Sequence, residues 1–197
     1  PPVERPGEAV ADEGRVLEEH RAQLRRGFRL EQEAQHQTRP LAIANQILAR
    51  DPKNLDALSL ASGCCSLEGE YEQAADYDRR AIDAHPDSAQ AWMTFALDLQ
   101  NGGRLEEAEE AYRRVVELDP SRAMAWYHLA CFAARRGDTD TALENLARAS
   151  SERPELREEA KSQPEFAPLL EDPRFDRIVN AKPDSEDPYA DWMRSGT

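Results

Sequence analysis

Between residues 89 and 122 the apolar positions fall in two runs. Trp92, Phe95, Ala96 and Leu99 form the first, and Leu105, Ala108, Tyr112, Val115 and Val116 the second. Within each run the spacing is mostly three or four residues, which gathers these side chains on one helical face. Gly102-Gly103 interrupts the pattern, and Asp119-Pro120 ends it, because a residue before proline is pushed out of the helical region. The spacing predicts a helix, a tight turn and a second helix.

This punctuation recurs along the chain. Pro52, Pro86, Pro120 and Pro154 lie 34 residues apart, as do Gly69, Gly103 and Gly137, and Ala74, Ala108 and Ala142. Three residue types sharing one period and one phase mark a stacked repeat architecture. Every proline from Pro52 to Pro154 falls on this grid, so each interval has room for two unbroken helices. The glycine supplies the turn, and the alanine lets the second helix approach the first closely.

These residues resemble the tetratricopeptide repeat, whose 34-residue pattern places aromatic, small and proline residues at fixed positions. Residues 89–122 carry it with Trp92, Phe95, Ala96, Leu99, Ala108, Tyr112 and Pro120, and residues 123–156 with Trp126, Leu129, Ala130, Gly137, Ala142, Leu146, Ala149 and Pro154. Residues 55–88 keep Leu58, Gly69, Tyr71, Ala74, Ala81 and Pro86, but Cys65 and Asp78 occupy two usual aromatic positions. Residues 21–54 form a degenerate unit that keeps Leu24, Ile47 and Pro52, with Pro40 expected in the first turn of its second helix. The resemblance implies an all-α, right-handed solenoid of helical hairpins.

A stack of this kind exposes an apolar face at each end, so both ends are expected to be capped. Residues 1–20 read as an N-terminal segment and extension. Val10, Leu17, Leu24 and Phe28 suggest one long helix from about residue 9 to 36. Residues 157–180 read as short helices folded over the last repeat, with Leu156, Ala160, Phe166, Leu169, Leu170, Phe175, Ile178 and Val179 set among Pro164, Pro168 and Pro173. They resemble the closing module of bacterial arrays of this family. Residues 181–197, rich in charge and proline, read as an acidic flexible tail.

Charge narrows the choice of partner. Across 197 residues, 25 Lys and Arg against 39 Asp and Glu give a net charge of −14, which repels nucleic acid and anionic lipid. No apolar run is long enough to span a bilayer. The three cysteines, two of them adjacent, match neither a disulfide framework nor a zinc site, and a reducing, cytoplasmic setting is expected. His20, His36, His85 and His128 are scattered, and there is no phosphate loop or dinucleotide fingerprint. Glu106-Glu107 and Glu109-Glu110 read as a solvated helix face, and Cys64-Cys65 as small packing residues. No metal, cofactor or catalytic constellation is expected, and the chain reads as a non-catalytic adaptor or assembly scaffold.

By resemblance, the first helix of each unit faces a concave groove. The register then names Arg25, Arg26, Arg29 and Glu33 in the first unit, and Asp56, Ser59, Leu60 and Gly63 in the second. It names Gln90, Met93, Thr94, Leu97, Gln100 and Asn101 in the third, and Met124, Tyr127, His128, Cys131 and Arg135 in the fourth. Four arginines against Glu33 and Asp56 give this set a charge of +2. Arg25, Arg29, Leu60, Met93, Thr94, Leu97, Asn101, Tyr127, His128 and Arg135 are the expected partner contacts, with Met93, Leu97 and Tyr127 as exposed apolar anchors. An extended or helical peptide with apolar anchors and some acidic residues suits them. Of the Lys and Asn clamp of co-chaperone repeats, Arg25 can stand for the Lys, but Arg29 and Leu60 replace the asparagines. Asp184, Glu186, Asp187, Tyr189, Asp191, Trp192 and Met193 offer an internal segment that could compete for the groove. A regulatory or targeting domain of a larger enzyme or complex, and a self-assembling subunit, are the rival readings.

Overall fold

A computed structural model describes residues 40–181. Helix α1 (residues 40–48) is followed by three hairpins. These are α2 (Leu55–Leu67) with α3 (Tyr71–Ala84), α4 (Ala89–Asn101) with α5 (Leu105–Leu118), and α6 (Ala123–Arg135) with α7 (Thr139–Glu152). Two short helices, α8 (Leu156–Ser162) and α9 (Pro173–Val179), flank a 3₁₀ turn at Pro164–Leu169. The architecture is an all-α solenoid. Each second helix packs against the first helix of the next hairpin, α3 on α4 and α5 on α6. Pro40 opens the described part of α1.

The three turns are built alike. Gly69, Gly103 and Gly137 have φ of +79°, +80° and +76°, the left-handed region that side chains with a Cβ resist. The next residue then donates its N–H to a carbonyl five positions back: Glu70 to Cys65 at 2.9 Å, Arg104 to Leu99 at 2.8 Å, and Asp138 to Ala133 at 3.0 Å. This bond satisfies a carbonyl that the helix end would otherwise leave open. Asn54 and Ser88 cap α2 and α4 by accepting the N–H of Ala57 and Ala91. The repeat alanines Ala74, Ala108 and Ala142 are fully buried where the paired helices meet.

Successive hairpins are also tied at their joints. The indole N–H of Trp92 donates to the Pro86 carbonyl at 2.9 Å, and that of Trp126 to the Pro120 carbonyl at 2.8 Å. Both tryptophans are half-buried. Trp92 packs on the first of two apolar clusters, while Trp126 touches both.

The first cluster runs from Ala44 and Leu48 of α1 through Leu58, Phe95, Leu99, Tyr112 and Val115 to Leu129 and Phe132 of α6. The second joins Tyr127, Leu143 and Leu146 to Leu156, Phe166, Phe175 and Ile178 of the C-terminal cap. Two apolar positions singled out in the sequence are exposed. Ile47, taken as a framework residue, is 39% exposed because Ala44 and Leu48 occupy the inner face of α1. Leu170, one of the apolar residues of the cap, is exposed one residue after the 3₁₀ turn, while its neighbour Leu169 is buried. The N-terminal helix expected over residues 9–36 and the tail beyond residue 181 lie outside the described residues.

Cys65, at the usual aromatic position of its unit, is buried, and burial pushes its thiol up to about 11. Asp78, at the other departure, is also buried. It faces Ser62 of α2 and Thr94 and Asp98 of α4. Asp98 accepts from the Ser62 hydroxyl at 3.1 Å and the Ser66 hydroxyl at 2.5 Å, whereas neither Asp78 oxygen has a hydrogen-bond partner among the described residues. Burial, reinforced by the Asp98 carboxyl and opposed by Ser62, pushes the Asp78 carboxyl up to about 7.

Candidate functional site

Helices α2, α4 and α6 carry the expected partner contacts that fall within the described residues. Leu60 is 41% exposed on α2, and Asn101 and Arg135 are exposed at the ends of α4 and α6. Met93 and Leu97 are half-buried and lean on the first apolar cluster. Thr94 is half-buried, its hydroxyl donating to the Ala91 carbonyl at 3.0 Å. Arg25, Arg26, Arg29 and Glu33 lie outside the described residues, as does the acidic segment from Asp184 to Met193.

Tyr127 is not the exposed anchor the register implies. It is only 3% exposed, because Phe166 of the cap meets its ring edge-on at a centroid distance of 5.8 Å. Met93 holds the equivalent position in the preceding unit and stays half-exposed, since α6 belongs to the last hairpin and the cap takes the place of a further unit. Burial, with Cys131, Glu159 and Glu165 adding, pushes the Tyr127 phenol upward. Its hydroxyl finds no hydrogen-bond partner among the described residues.

His128, next along α6, stacks on Tyr112 with centroids 4.6 Å apart and planes 12° from parallel. Burial pulls its imidazole down to about 4, so the ring is neutral at pH 7. The Tyr112 hydroxyl in turn donates to the Gln100 side-chain oxygen at 3.0 Å. These contacts fix the floor of a recess of about 110 Å³. One wall comes from Gln100 of α4 and from Met124, Cys131 and Arg135 of α6, and the other from Glu159, Gln163 and Glu165 of the cap.

The recess gathers Tyr127, His128 and Arg135, but not Leu60, Met93, Thr94, Leu97 or Asn101. Its cap residues were not visible as site residues in the sequence. Their only signal is that the segment after Pro154 must cover the last hairpin, which leaves open which polar side chains rim the groove. They also change the local charge. Arg135 against Glu159 and Glu165 gives −1 here, where the register set as a whole sums to +2.

Among the described residues, no group of three His, Cys, Asp or Glu could hold a metal ion, and no helix is long and apolar enough to cross a membrane. All three cysteines are free, and burial raises the thiol of each, Cys131 to about 12.

The sequence model described as tetratricopeptide repeat matches residues 41–89 and 93–155. The chain belongs to the tetratricopeptide repeat family. No curated protein matches its sequence. Among solved structures it is similar to "Crystal structure of MamA", with a TM-score of 0.60 and 17% identity over 78% of this chain and 85% of that one. It is also similar to "MamA 41-end from Desulfovibrio magneticus RS-1", at 0.55 and 21% over 62% and 70%. A third similar structure, "MamA RS-1 ArsTM double mutant", gives 0.55 and 22% over 66% and 71%. At these identities the likeness is one of fold. The tetratricopeptide repeats support a protein-interaction or scaffolding role, and this repeat fold is typically non-catalytic.

Proposed function

We propose that this tetratricopeptide repeat protein is a non-catalytic adaptor that seats a peptide segment of a partner protein along α2, α4 and α6. The observation carrying this reading is the run of accessible or half-accessible apolar side chains on the first helices, Leu60, Met93 and Leu97, continuing into the recess at α6. A helical or extended segment with apolar anchors would cover them. Arg135 is the one cation of the expected contacts within the described residues, and it suits an acidic residue of the segment at the groove's C-terminal end.

Affinity capture from the native lysate tests this. The chain is compared with Leu60→Glu/Met93→Glu and with Glu106→Arg on the exposed face of α5, all shown to be folded by circular dichroism. A partner retained by Glu106→Arg and lost by the double variant supports the groove. Equal retention by both moves recognition elsewhere, and capture of the chain alone favours self-assembly, which light scattering then measures.

A further inference from the structure

The recess beside α6 has a chemical character of its own. Glu159 and Glu165 project from α8 and the 3₁₀ turn into its wall, and neither has a cationic partner among the described residues. Glu165 accepts one bond, from the Gln163 amide at 2.9 Å, which leaves its second oxygen open. The floor is aromatic, formed by Tyr127, the neutral imidazole of His128 and Phe132. The Tyr127 hydroxyl, in a side chain almost wholly withdrawn from solvent, lies near enough to Cys131, Glu159 and Glu165 for them to push its phenol upward, and has no hydrogen-bond partner among the described residues.

Two carboxylates beside aromatic rings, near an unpaired phenol oxygen, suit a cation. An anionic group would meet half-buried Glu165 and Glu159, the latter exposed like Arg135, with that one arginine to receive it. A purely apolar side chain would strip water from the carboxylates and return no hydrogen bond. The negative potential reaches both wall and floor: Glu165 and Glu159 add to burial in raising the Cys131 thiol, and they also push the Tyr127 phenol upward. The volume of about 110 Å³ is several times the ~30 Å³ share of one water, enough for a guanidinium or ammonium head and part of its stem.

Resting on the reading of the first helices as a protein-binding surface, we infer that this recess is a subsite for one basic side chain, arginine or lysine, of the bound segment. The cap is then part of the recognition surface as well as the cover of the last hairpin. Arg135 at the mouth favours an acidic residue beside the basic one, so the motif recognised at this end carries both signs.

The test is titration of the whole ¹⁵N-labelled chain with Nα-acetyl-arginine methylamide, followed by amide chemical shifts. Nα-acetyl-norleucine methylamide and Nα-acetyl-glutamate methylamide serve as neutral and acidic counterparts. The arginine probe is expected to shift amides of residues 127–135 and 159–165 saturably and to bind about tenfold more tightly than norleucine. Glu159→Gln/Glu165→Gln, at positions outside the buried core, is expected to lose that tenfold, while Arg135→Gln keeps or tightens binding. The inference is overturned if norleucine matches arginine, if glutamate binds best, if the double Gln variant binds arginine unchanged, or if arginine gives no saturable shift. The two readings fail separately. A captured partner lost by Leu60→Glu/Met93→Glu but held with unchanged affinity by the double Gln variant removes the basic subsite and leaves the groove.

Discussion

Asp78→Asn isolates the proton chemistry of one buried carboxyl. In the folded chain this group is 1% exposed, lacks a hydrogen-bond partner among the described residues and faces Asp98, so it titrates near 7 rather than at its ordinary 3.8. A carboxyl whose pKa rises on folding binds more protons folded than unfolded, so it favours the fold in acid. That advantage is complete below 3.8 and is lost as pH rises towards 7. A rise from 3.8 to about 7 corresponds to about 4 kcal/mol in total, of which about 3 kcal/mol falls between pH 5 and 8. Asn keeps the shape and removes the titration. Urea unfolding of both proteins at pH 5, 6, 7 and 8 should show the stability of the variant relative to the native chain rising by about 3 kcal/mol over that range. Parallel pH profiles would refute the assignment of this titration to Asp78, and a native chain that gains on the variant with rising pH would reverse its sign.

Gly103→Ala should lower stability by roughly 1–2 kcal/mol, because φ is +80° while nothing crowds the added Cβ. Thermal unfolding measures it, Gly103→Asn should recover part of the loss, and an unchanged midpoint would show that the turn relaxes. Phe166→Ala should cost about 3–5 kcal/mol, as expected for truncating a fully buried aromatic side chain. Hydrogen exchange should rise in α8, the 3₁₀ turn and α9 with α2 to α4 little changed, and unaltered exchange in the cap would contradict its packing on Tyr127.

The repeat was legible because it is written in local rules. Gly69, Gly103 and Gly137 announce turns and Pro86 and Pro120 announce joints, each with a backbone preference that needs no distant partner. Asp78 was legible as a departure, standing one period before Tyr112, but its pairing with Asp98 depends on how α3 meets α4. Tyr127 was misread for a related reason. Its register position is open inside the array and closed at the end, and only the approach of Phe166 decides between them. Glu159 and Glu165 belong to short helices whose placement follows from the same long-range packing, so no spacing rule could bring them to Arg135.

Helix α6 divides its buried residues between the two clusters, Ala125, Leu129 and Phe132 on one side and Tyr127, Ala130 and Ala133 on the other. It therefore acts as a party wall between two rooms. In a stack held together by neighbour contacts, force applied at the C-terminus must pass through this wall before it reaches the hairpins beyond. If the wall melts, both rooms lose a side together, so the cap and the repeats share one point of failure.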